Sequence, residues 1–129
     1  MAANWTADDL RLIDAAEELR IASRRADGTL RHAVPIWVVR VGEQVYVRTW
    51  YRRDTGWFGQ VLASGRAAVE VPGLRADVTV TDVAGASDRL RADVDAAYRA
   101  KYGRYGASTV AQMVADEAVA TTLRLSPAE

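Results

Sequence analysis

From residue 19 to residue 71 the chain carries short runs in which side chains alternate with a period of two, at 19–24, 44–50 and 67–71, set apart by turn residues and one helical interval. A period of two is the spacing of a strand with one buried face, so this stretch restricts the chain to folds built from several short strands in succession. Leu19, Ile21 and Ser23 fall on one side, Arg20, Ala22 and Arg24 on the other. Asp27 and Gly28 supply the turn, because glycine takes a positive φ without a Cβ clash. A second strand is expected over residues 30–41. Gly42 and Glu43 turn the chain into a third, over residues 44–51, with Val45, Val47 and Thr49 against Tyr46, Arg48 and Trp50. These three strands read as an antiparallel meander. Pro35 lies inside the second and cannot donate to a ladder, so it marks an edge, a bulge or a place where something other than a strand approaches.

The remaining spacings complete a small barrel. Trp57, Val61 and Leu62 suit a short helix stopped by Gly65, and Ala67, Val69 and Val71 form a fourth strand that Pro72-Gly73 turns into a fifth, over residues 75–83. Ser87 caps a helix with Leu90, Val94, Ala97 and Tyr98 as its apolar stripe and with Asp95 and Arg99 on its wet side; it ends at Gly103. Upstream, Thr6 and Asp9 begin a helix that ends near Ala16. A short helix over residues 108–115 and a sixth strand over residues 120–125 finish the chain. With 129 residues, half of them apolar, one core and one domain over residues 1–129 are expected. The fold class is mainly β with helices (α+β), a six-stranded barrel that is closed or nearly closed, since closure removes exposed edges.

Composition removes several functions. Seventeen basic residues balance 17 acidic ones, so no global field draws the chain to nucleic acid or to an anionic membrane. Without cysteine, and with one histidine, it has no thiol nucleophile and no zinc site of several Cys or His ligands. The first residues hold no basic-then-apolar leader, and no stretch approaches the roughly 18 apolar residues of a spanning helix, so a cytoplasmic protein is expected. His32, at the start of the second strand, is given no proton-transfer role, since a lone histidine is more often exposed or structural.

One place is dense in binding chemistry. Arg48, Thr49, Arg52, Arg53 and Thr55 lie within eight residues at a strand end and a helix start, where guanidinium forks, hydroxyls and unpaired amides together suit a phosphate. The competing reading is a solvated rim whose arginines pair with Asp54, Glu43 or Glu70. Trp37, Trp50, Tyr51, Trp57 and Phe58 surround the cluster, and such rings either pack a core or wall a planar ligand. Trp37, between Ile36 and Val38, favours packing or a dimer interface; Trp57 and Trp50 are the better ligand walls. Tyr98, Lys101, Tyr102 and Tyr105 form a second polar and aromatic group that reads as structural. The acids Asp77, Asp82, Asp88, Asp93 and Asp95 read as solvated. No nucleophile motif or phosphate-binding glycine loop with its lysine is present.

The order of strand, DG turn, VPIWVV, Gly turn, QVYVRT, short helix and AAVEV resembles the flavin-binding split-barrel superfamily, which holds the pyridoxamine-phosphate-oxidase-like proteins and the deazaflavin-dependent nitroreductase type. TLRHAVPIWVV, YVRTWYRRDTGWF, AYRAKYGRYG and the terminal TTLRLSP resemble, more narrowly, a bacterial family of that fold whose function is uncharacterised. The resemblance implies a six-stranded antiparallel split β-barrel, a homodimer, and FMN or a deazaflavin coenzyme in a groove at the subunit interface. Val34, Pro35, Ile36 and Trp37 would run along the ring system, and Arg48 with Thr49 would approach the phosphate, joined by Arg52, Arg53, Thr55 and Trp57. Many cofactor binders of this fold carry a basic residue beside an Asn in the next helix, where this chain has Gly59 and Gln60. The implied activity is that of a reductase-like protein acting on a small electron-poor acceptor. The alternative is a non-enzymatic barrel that binds another small ligand or a protein partner.

Overall fold

The computed structural model describes residues 4–49 and 56–128. Helix α1, Ala7–Ala15, begins where the Thr6 and Asp9 spacing places it. The Thr6 Oγ1 accepts from the Asp9 N–H at 3.0 Å and the Asp9 carboxylate accepts from the Thr6 N–H at 3.2 Å, a reciprocal cap. Among the described residues seven strands follow: β1 (Leu19–Ala22), β2 (Val34–Ile36), β3 (Val39–Val41), β4 (Gln44–Val47), β5 (Arg66–Val71), β6 (Leu74–Asp82) and β7 (Leu123–Pro127). They form one antiparallel sheet in the order β2-β1-β5-β6-β7-β4-β3.

The seventh strand arises because the expected strand over residues 30–41 is two. Pro35 has no N–H to give, and the backbone of Val38 is diverted from any ladder. Its N–H donates to the Tyr102 hydroxyl at 3.0 Å, and its carbonyl accepts from that hydroxyl at 3.1 Å and from Lys101 Nζ at 3.0 Å. β2 therefore pairs with β1 and β3 with β4, at opposite ends of the sheet, and the expected meander of three neighbouring strands is not formed. Ile36 and Val39 are three Cα steps apart, at most about 11 Å. The sheet must curl until its two edges nearly meet, which makes an open half-barrel.

Alternation then divides the core. Leu19, Ile21, Val45, Val47, Val69, Leu123 and Leu125 point inward, joined by Phe58 and Val61 of α2 (Gly56–Ser64), which stops at Gly65 with φ +70°. A second cluster forms on the outer face, where Val39 and Tyr46 meet Val94, Tyr98 and Tyr102 of α3 (Asp88–Tyr102) and Val110 and Met113 of α4 (Ala107–Val114). Ser87 caps α3 through the Leu90 N–H at 3.0 Å. Residues 116–119 form one more helical turn, α5 (Asp116–Val119), so the last strand begins at Leu123 and not at residue 120. The hydroxyls of Thr121 and Thr122 donate to Ala118 and Val119 carbonyls, which holds residues 120–122 outside the ladder.

Candidate functional site

β2 is an edge, and among the described residues no strand pairs with its far side. Its register on β1 sets Leu19 opposite Ile36, Arg20 opposite Pro35 and Ile21 opposite Val34. Val34 and Ile36 therefore share the inward face with Leu19 and Ile21 and are half-buried, while Pro35 is exposed on the outer face beside Arg20. The same row continues through Glu70 to Arg75, which form an ion pair at 3.0 Å. Trp57, in the first turn of α2, is half-buried edge-on against Phe58, with ring centroids 5.8 Å apart. Arg52, Arg53 and Thr55 of the expected phosphate seat, with Trp50, lie outside the described residues. His32 is exposed ahead of β2.

Arg48 is placed where the alternation puts Tyr46, on the outer face under α3, and its side chain is 0% exposed. Its Nη1 donates to Asp95 at 2.5 Å and to the Met113 carbonyl at 2.9 Å, and its Nε donates to Thr122 Oγ1 at 2.9 Å. The guanidinium also lies 5.5 Å from the centre of the Tyr98 ring. Such a group cannot reach a surface phosphate without giving up its close contact with a buried carboxylate. Asp95, expected on a solvated face with Arg99, is buried instead, with Arg91 at 3.9 Å as its outer neighbour and Asp116 beyond. Thr49 is buried next to it, its N–H donating to Thr121 Oγ1 at 2.9 Å and its carbonyl accepting from the same hydroxyl.

Trp37 is turned onto the end of α3. Its ring stacks on Tyr102 with centroids 4.0 Å apart and planes 3° from parallel, and Tyr105 lies 5.7 Å away. Packing thus accounts for one face of the indole, although the residue is only half-buried. The Tyr102 hydroxyl is the hub of this corner: besides its bonds to Val38, it donates to the Glu17 carbonyl at 2.8 Å. Burial pushes its ionisation well above the usual tyrosine range. Tyr102→Phe is expected to lower stability by about 1–3 kcal/mol, the cost of leaving buried backbone groups unsatisfied. Chemical denaturation would read it, and a change near zero would mean that the hydroxyl does not hold the break between β2 and β3.

Gln60, one of the departures noted in the sequence, accepts from the Ser23 hydroxyl at 3.0 Å and ties α2 to the end of β1. Gly59 is half-buried beside it.

The family model described as "Uncharacterized protein conserved in bacteria (DUF2255)" matches residues 9–125. The chain belongs to that family. Among curated proteins none matches the sequence. Solved structures share its fold. A FAD-binding protein from Mesorhizobium loti superposes with a TM-score of 0.59 at 15% identity, over 100% of this chain and 94% of the other. Conserved hypothetical protein Rv2991 from Mycobacterium tuberculosis gives 0.56 at 12%, over 96% and 79%. A NimC/NimA family protein from Clostridium acetobutylicum gives 0.52 at 13%, over 90% and 76%. At such identities the likeness is one of fold, and it establishes the split barrel expected from the sequence. No helix among the described residues is long and apolar enough to cross a membrane.

Proposed function

We propose that this chain binds FMN or a deazaflavin coenzyme beside β2, in a groove completed by a second copy of the chain, and serves as a reductase-like protein for a small electron-poor acceptor. The observation that carries this reading is the free edge at Pro35. A flat heterocycle pressed against ordinary backbone would strand an N–H, whereas proline has none to strand. Half-buried Val34 and Ile36 give that edge an apolar margin, and exposed Arg20 stands in the same row. The fold is also that of a protein named as FAD-binding, which supports the same class of ligand.

The phosphate role passes to Arg52, Arg53 and Thr55, together with the amide end of α2 at Gly56, where helix polarity favours an anion. Arg48 is assigned the structural role its burial dictates, and Thr49 the task of fixing the strand end beside it. Trp57 and Trp37 wall the ring. When bound in reduced form, such a cofactor supplies a hydride. The chain's own residues bind the phosphate, orient the ring and shield one of its faces from water, and no protein base is assigned.

The test is a visible absorbance spectrum of freshly purified protein, followed by titration with FMN and separately with the deazaflavin coenzyme, with light scattering alongside. Saturable binding of one of them by a dimer is expected. A colourless protein that binds neither would instead favour the non-enzymatic barrel that takes another ligand or a protein partner.

A further inference from the structure

Sixteen of the 17 basic residues are arginine, and the single lysine, Lys101, is the one placed half-buried in the last turn of α3. Its Nζ donates to the Ile13 carbonyl at the end of α1, at 3.1 Å, and to the Val38 carbonyl at the break between β2 and β3, at 3.0 Å. Two of the nitrogen's hydrogens are thereby fixed and Cε occupies a third direction, so a proton or a lone pair takes the fourth. Lys101 lines a cavity of about 350 Å³ together with Asp14, Val39, Arg40, Ala97 and Ala100. Arg40 Nε donates to the Gly42 carbonyl at 2.8 Å, and its two terminal nitrogens have no partner among the described residues.

We propose that Lys101 is a reactive amine that captures small aldehydes bearing a carboxylate, and 2-oxo acids, as an imine, with Arg40 holding the carboxylate. This site is separate from the cofactor groove. The neutral nitrogen attacks the carbonyl carbon, a C–N bond forms, and the carbonyl oxygen takes a proton; loss of water then leaves a protonated imine, with no oxidation or reduction. Asp14, in the same cavity, is the group available to carry the proton. The protonated imine retains one N–H for the Ile13 carbonyl. The Val38 carbonyl that it releases keeps a share of the single Tyr102 hydroxyl hydrogen, which also reaches the Glu17 carbonyl.

Protonation works in the same direction. Burial lowers the Lys101 amine to about 8, the positive charge of Arg104 adding to the effect and Asp14 opposing it. Tyr102, whose ring centre lies 5.4 Å from Nζ, and Arg40 are the other titratable groups around it. At neutral pH a far larger fraction of this amine is uncharged than of an ordinary lysine.

The test is reductive trapping: the full chain, with no cofactor added, is incubated with glyoxylate and cyanoborohydride, and the adduct is located by peptide mass mapping to distinguish Lys101 from the terminal amine. At pH 7 Lys101 is expected to be labelled at least about tenfold faster than the same residue in the urea-denatured chain, the rate climbing as pH rises through about 8. Arg40→Ala should slow glyoxylate capture about tenfold and leave that of uncharged propanal unchanged. Labelling no faster than in the denatured chain, or an equal response of both aldehydes to Arg40→Ala, overturns the proposal. Either failure leaves the flavin titration unaffected.

Discussion

Replacing Arg48 by alanine is expected to destabilise the protein by about 3–5 kcal/mol, because it leaves the Asp95 carboxylate buried without its partner. The loss exceeds that of a surface ion pair, worth about 0–1 kcal/mol, since the Arg48 side chain is fully buried and that of Asp95 only 13% exposed. It also removes the donors to Thr122 and to the Met113 carbonyl, so β4, α3, α4 and the approach to β7 lose their common tie. Arg48→Met combined with Asp95→Leu removes both charges and should recover much of the stability, because an apolar pair of similar volume escapes the desolvation cost. Urea denaturation of the two single variants and the double one would measure it. Simple additivity, with the double variant as unstable as the sum of its parts, would mean that the two side chains do not act as a pair.

The same residue shows how far the sequence could be read. Alternation put Arg48 on the same side of its strand as Tyr46, and in the fold that side is the outer face. What alternation could not say is that α3 covers this face. Asp95 adjoins Val94 and stands three residues before Tyr98, on the flank of the buried stripe, so an acid assigned to water turns inward once an arginine rises beneath it. Local signals were reliable where the physics is local: the cap at Thr6, the cap at Ser87 and the stop at Gly65 all fall where side-chain chemistry places them. The division of residues 30–41 was only half legible. Pro35 announced an interrupted ladder, but the partners that divert Val38 are Tyr102 and Lys101, more than 60 positions away. The tyrosines and lysine of the AYRAKYGRYG segment carried no signal of this task beyond their clustering. Trp37 repeats the point, since its stacking partner lies at the other end of the same long-range contact.

Replacing Arg52 and Arg53 together by alanine is expected to weaken cofactor binding by about 3–6 kcal/mol, two charge-assisted contacts of about 1.5–3 kcal/mol each, which corresponds to roughly a hundredfold to ten-thousandfold loss of affinity. The size follows from the lack of a substitute. Arg48 is committed to Asp95, and Gln60 to Ser23. The amide end of α2 alone adds only about 0.3–1 kcal/mol for an exposed anion. Urea denaturation of the double variant is the control: a stability change of no more than about 0.5 kcal/mol separates lost phosphate contacts from lost folding. Comparing the riboflavin and FMN titrations isolates the phosphate: the variant should bind FMN about as weakly as the unaltered chain binds riboflavin, while riboflavin affinity itself stays constant. An equal weakening for both ligands would move these arginines from the phosphate to the ring, and unchanged FMN affinity would remove them from the site.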